Sequence, residues 1–236
     1  NDRPWWGYMD PYTFSTELLH PRDQEEGWAE WFRPVFDVFS EVGDRQGFNA
    51  EYSVWSFGGI SLTRVSAPAT RTVRMPLHLR RDPIDHWVIS YCQNGATALS
   101  TNDGQLNAQP GVPFVWSLGR SSESRRTVAD RLQIYLPRDS FSEIGDPLDM
   151  AIGSMLDTAS GRLLADYLIL LERNLPNLTP EEASRLPSAI QAMVTACVAP
   201  SKDRLARASE QIDLTRLTRV RRTVRKNLRS PSLGPD

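Results

Sequence analysis

The chain is poor in the residues that metal, redox and disulfide chemistry need. Its two cysteines, Cys92 and Cys197, are too few for a disulfide framework and lack the paired spacing of a zinc site. Both are expected as buried apolar thiols. The three histidines, His20, His78 and His86, include no His-x-His pair. A barrel that carries a metal brings imidazoles together from alternate positions of one strand and adds a carboxylate, and that pattern is missing. No metal and no cofactor are therefore expected. Long apolar runs are also absent: none approaches the roughly 18 residues of a membrane span. Asn1 to Tyr12 is polar and contains Pro and Trp where a secretory leader would be apolar. The expectation is a cytoplasmic protein with no membrane partner. Ser56 and Ser117 lack the flanking pattern of a nucleophile elbow. Gly58-Gly59 and Gly145 form no phosphate loop. No catalytic residue is expected, and there is no internal repeat or low-complexity tract.

What the chain does have is an ordinary globular composition with an uneven charge distribution. Forty per cent of its 236 residues are hydrophobic and the net charge is -2. Residues 201–236 nevertheless hold ten Lys/Arg against four Asp/Glu, while residues 1–200 hold seventeen against twenty-five. An acidic body with a basic end suits an anionic partner at that end.

Periodicity divides the chain into three. In residues 1–46, Trp28, Trp31, Phe32, Val35, Phe36 and Phe39 predict a helix over 23–39, kinked or split by Pro34. Residues 47–137 read as strands: Phe48–Ser56, Ile60–Ser66, Arg71–Met75, His86–Gln93, Ala96–Thr101, Val112–Trp116 and Arg131–Leu136. The last alternates, with Leu132, Ile134 and Leu136 on one face and Arg131, Gln133 and Tyr135 on the other. Asn94-Gly95 predicts a hairpin, and Asn102-Asp103-Gly104 and Gln109-Pro110-Gly111 predict further turns. Short strands without intervening helices imply a closed antiparallel barrel or jelly roll. After residue 138 the pattern turns helical, with a helix over 159–174. A second starts at Thr179-Pro180-Glu181-Glu182, a capping signature, and runs to about Val198. Leu214, Leu217, Val220, Val224 and Leu228 then line one face of a basic helix.

That basic segment resembles the entry into the DNA-binding domain of AraC/XylS-type transcription regulators. Leu217 to Leu228, with Val220-Arg221-Arg222, Val224 and Asn227-Leu228, is followed by Pro231, Leu233 and Pro235 in the order of that family. Phe14–Thr16, the Trp28 and Trp31 helix, Gln109–Gly111 and Ala199–Ser201 resemble the sensor half of such regulators. The resemblance implies an α+β fold: a cupin-like barrel or jelly roll, then a helical dimerisation and linker region. The expected divisions are 1–137, an N-terminal helix plus ligand-binding barrel; 138–211, dimerisation helices and linker; and 212–236, the first helix of a helix-turn-helix domain whose reading heads lie further on. DNA, a small organic effector and a second copy of the chain are the implied partners.

The expected effector lining is Trp55, Arg74, His86, Tyr91 and Trp116, aromatic surface with one cation, suited to an uncharged or weakly anionic molecule. Alternation does not say which face of these strands is inside. The expected dimer seam is Leu186, Ile190, Met193, Val194 and Cys197, supported by Leu164, Leu168 and Leu171. Arg221, Arg222 and Arg225 are expected against DNA phosphate, where they position rather than read. Two other readings stay open. One is a cupin-like enzyme or isomerase with a helical extension, favoured by an inward cluster of titratable groups. The other is an interaction module whose barrel is filled solid.

Overall fold

The computed structural model of the chain describes residues 9–42, 47–102 and 104–199. The basic helix expected over 214–229, with Arg221, Arg222 and Arg225, lies outside the described residues. The strands are β1 Tyr12–Ser15, β2 Asp37–Ser40, β3 Glu51–Phe57, β4 Ile60–Ala67, β5 Thr70–Arg74 and β6 Trp87–Cys92. They continue with β7 Thr97–Thr101, β8 Gly104–Ala108, β9 Phe114–Ser117, β10 Ser122–Arg126 and β11 Ala129–Leu136. The helices are α1 Gln24–Phe32, α2 Pro76–Arg81, α3 Gly145–Ala151, α4 Ala159–Asn174, α5 Pro180–Ala183 and α6 Leu186–Val198. Every strand pair is antiparallel. One sheet runs β1-β3-β4-β11-β6-β9 and the other β2-β5-β10-β7-β8. This is the cupin-like α+β architecture expected from the pattern of short strands followed by helices.

The seven expected strands are all present, and the differences are local. The helix over 23–39 stops at Phe32, because Pro34 cannot continue it, and residues 37–40 become β2 on the edge of β5. Asn94-Gly95 turns the chain, with Gly95 at φ 75°. It joins β6 of one sheet to β7 of the other, so it is a corner and not a hairpin. The two-residue hairpin falls instead at Gly58-Gly59, between the paired residues Phe57 and Ile60, with φ of 53° and 82°. Both positions need positive φ, which glycine adopts without strain. The single helix expected from Thr179 to Val198 is two. The capping box of Thr179 and Glu182 starts α5, and the chain re-enters helix as α6.

Alternation decides where the apolar core sits. Trp55, Phe57, Ile60, Leu62, Trp87, Ile89, Leu132, Ile134 and Leu136 face outward from the six-stranded sheet and meet Leu148 of α3, Leu164, Leu168 and Leu171 of α4, and Ile190, Val194 and Cys197 of α6. Burial of each such aliphatic side chain is worth about 1.5–3 kcal/mol, so the helices and the sheet stabilise one another. Residues Asn1–Val198 accordingly form one compact unit. The opposite face, carrying Val88, Cys92, Phe114 and Trp116, packs with Leu99, Ala108 and Leu118 inside the barrel. Trp28 of α1 closes one side with Phe48, Ala50 and Val65.

This arrangement corrects the expected dimer seam. Leu164, Leu168, Leu171, Ile190, Val194 and Cys197 are buried within the chain, and Leu186 and Met193 pack against the same cluster. The stripe is apolar because it covers the sheet, and no second copy can reach it while the helices stay docked.

Candidate ligand pocket inside the barrel

The inward face of β11 presents Arg131, Gln133 and Tyr135 to the barrel interior. They line a cavity of about 30 Å3 together with Arg126 at the end of β10, Trp116 of β9, Thr70 and Thr72 of β5, and a wall of Trp28, Phe32 and Phe36. That is room for a small number of waters, so anything larger enters as these side chains move apart. The lower wall is an ordered polar network. The Trp116 indole Nε1 donates to Ser90 Oγ at 2.8 Å, and Gln133 Nε2 donates to the same oxygen at 2.8 Å. Thr72 and Ser124 share a hydroxyl hydrogen bond of 2.7 Å.

Arg126 and Arg131 differ from everything else in the cavity. They come from the two different sheets, across the short Thr127-Val128 connection, and both heads turn inward. Arg131 is 7% exposed. The Nε of each is shut from solvent with no hydrogen-bond partner, and no carboxylate among the described residues pairs with either. Burial, then the neighbouring Arg131 charge, pushes the Arg126 guanidinium down to about 9. Burial lowers Arg131 in the same direction. Burial pushes the Tyr135 phenol up, against the pull of the two arginines.

The five residues expected as the lining are not brought together. Trp116 alone of the five lines this cavity. Trp55 belongs to the sheet-helix core and Tyr91 packs against it from the outer face, because both alternate away from the interior. Arg74 is buried, and its guanidinium is spent on backbone. Nε donates to Leu118 O at 2.7 Å, Nη1 to Val35 O at 2.7 Å, and Nη2 to Asp82 O and Ile84 O at 3.2 Å. It knots three connections of the barrel and spends four of its five N–H donors on them. Arg74→Met should leave those carbonyls unpaired and cost roughly 2–4 kcal/mol, read as a lower denaturant midpoint. His86 stands just before β6, away from the cavity. Burial holds its pKa down against the carboxylates of Asp85, Asp82 and Asp139.

Arg126, Arg131, Gln133 and Tyr135 were missed as lining. The alternation of β11 was legible, but choosing its inward face required knowing that helices cover the apolar one. Among the described residues no three His, Cys, Asp or Glu side chains group as metal ligands. No helix of the described residues is long and apolar enough to cross a membrane.

An antiparallel double sheet with a polar-aromatic cavity and helices packed on one outer face defines the class: a cupin-like domain. Residues 30–199 match the AraC-binding-like domain family, and the chain belongs to that family. It is the sensor region of an AraC-type regulator. The crystal structure of the AraC-like transcriptional activator CuxR is similar at 30% identity and TM-score 0.75, over 81% of this chain and 70% of that one. A cupin-2 domain from Rhodospirillum rubrum is 13% identical with TM-score 0.28, over 43% of this chain and 69% of that one. Oxalate decarboxylase from Bacillus subtilis is 12% identical with TM-score 0.31, over 64% and 39%. These last two likenesses carry no functional weight. No curated protein matches the chain.

Proposed function

We propose that residues 1–198 sense a small organic effector in the barrel interior and pass its binding to DNA contacts further along the chain, without catalysing a reaction. The observation that carries this is the cavity itself: aromatic on one wall, and lined by cationic groups that no carboxylate among the described residues pairs. A ligand that fits only one arrangement of the barrel and its helices shifts the balance between arrangements by its differential affinity. Residues 212–236, on their motif, open the helix-turn-helix domain, with Arg221, Arg222 and Arg225 as phosphate contacts. The setting is cytoplasmic.

An enzyme would need a proton-transfer pair inside the barrel. The lining offers two guanidinium groups, which stay charged at neutral pH, and one phenol, which stays protonated and neutral there, so none of them shuttles protons. Equilibrium dialysis of the chain against a small-molecule extract separates the two readings. The sensor retains a compound, about one per chain, and releases it chemically unchanged. Release of a converted compound would contradict the proposal.

Reading paired DNA half-sites calls for two copies. With α6 committed to the core, the outward face of α4 is the available apolar stripe: Leu163 and Leu170, seven residues apart, are 62% and 55% exposed. Leu163→Arg with Leu170→Arg should convert a sedimenting dimer to monomer with less than about 1 kcal/mol change in stability, as for exposed positions. A wild-type monomer at micromolar concentration would rule this surface out.

A further inference from the structure

Two arginines that line one cavity, with no carboxylate among the described residues paired to either, are an unusual thing for a fold to keep. Buried charges are ordinarily paired, since an unpaired one is strongly disfavoured by loss of water. Elsewhere in this interior Arg74 has four acceptors, and Trp116, Ser90 and Gln133 are joined by hydrogen bonds. Among the described residues that line the cavity, Arg126 and Arg131 leave their Nε donors without acceptors. A planar guanidinium fork is matched by the paired oxygens of a carboxylate or phosphate. The same cavity has an aromatic wall, with the Phe36 and Trp116 rings 6.1 Å apart and tilted by 42°.

We propose that the effector is an organic anion whose carboxylate or phosphate sits between Arg126 and Arg131, with an apolar, ring-sized body against Trp116 and Phe36. This rests on the sensor reading and names the ligand class of that same cavity. In the free chain the two positive groups repel each other; a bound anion supplies the missing acceptors and neutralises both. The arginines are then ligand groups that the empty fold tolerates.

The test uses the 236-residue chain with benzoate, its neutral isostere benzamide, and inorganic phosphate at matched ionic strength. Thermal unfolding and Trp fluorescence are followed together. Benzoate or phosphate should give a saturable rise in Tm on the order of 5 °C at a hundredfold excess over Kd, with a fluorescence change, and benzamide should give neither. Benzoate alone identifies a carboxylate head, and phosphate alone a phosphoryl head. Arg126→Gln and Arg131→Gln should each weaken binding by roughly tenfold to a hundredfold. Arg126→Met should raise the Tm of the free chain while removing the anion response, an outcome that misfolding cannot imitate. Benzamide binding as well as benzoate would overturn the anion assignment and leave the cavity as a sensor site. No response to either anion, or an unchanged response in the Gln variants, would overturn it as well.

Discussion

Val194→Asp should prevent the chain from folding. Val194 is fully buried where α6 meets the sheet, in one cluster with Leu168 of α4 and Leu62 of β4. A carboxylate there loses its water and has no cation to meet, which costs more than about 4 kcal/mol, a large part of the stability of a domain this size. The chain should be recovered insoluble or without a cooperative thermal transition. Val194→Ala, which removes two methyl groups and adds no charge, should cost about 1–3 kcal/mol and leave a folded protein. A soluble, cooperatively folded Val194→Asp monomer would restore α6 as a surface element and with it the seam read from sequence.

Gly161→Ala should destabilise, against the usual sign. In a helix this exchange normally gains about 1 kcal/mol. Gly161 lies in the first turn of α4, where its N–H donates to Oγ1 of the cap Thr158 at 3.1 Å. A Cβ built there falls 1.7 Å from the carbonyl oxygen of Leu156 and 2.8 Å from its carbon. Those are backbone atoms, and Leu156 N is itself bound to Pro113 O at 2.7 Å. The segment cannot retreat without breaking its tie to the β9 side of the barrel. A loss of about 2–3 kcal/mol is expected, the scale of overpacking, measured as a fall in denaturant midpoint at constant slope. A neutral or stabilising effect would show that the entry to α4 yields.

The sequence carried the strands with an apolar face and the helix over 159–174, and these stand within a few residues of their expected bounds. It carried little for β10, whose Ser122-Glu123-Ser124-Arg125-Arg126 reads as a charged loop. Its inward side meets a polar cavity, so no apolar alternation marks it. The same inversion hid the site. In this barrel the interior near β11 is polar and the sheet's outer face is the apolar one, so an apolar stripe could not reveal which way it pointed. Tyr91 and Trp55 were aromatic strand residues as expected, but their register sends them under the helices. Arg74 looked like a free cation because nothing in one sequence shows backbone carbonyls converging on it.

One structural feature links the cavity sheet to the helices. Trp87 Nε1 donates to Asp149 Oδ1 at 2.8 Å, and Arg138 grips the same carboxylate through both Nη atoms at 3.1 and 2.9 Å while lying over the Trp87 ring at 4.2 Å. This ties β6 to α3.

An effector bound inside the barrel should be visible in hydrogen exchange of the chain with and without the compound retained in dialysis. Slowed exchange is expected in β5, β9, β10, β11 and α1, which line the cavity, with a smaller effect in α3. Protection confined to the outward face of α4, with the barrel strands unchanged, would contradict it.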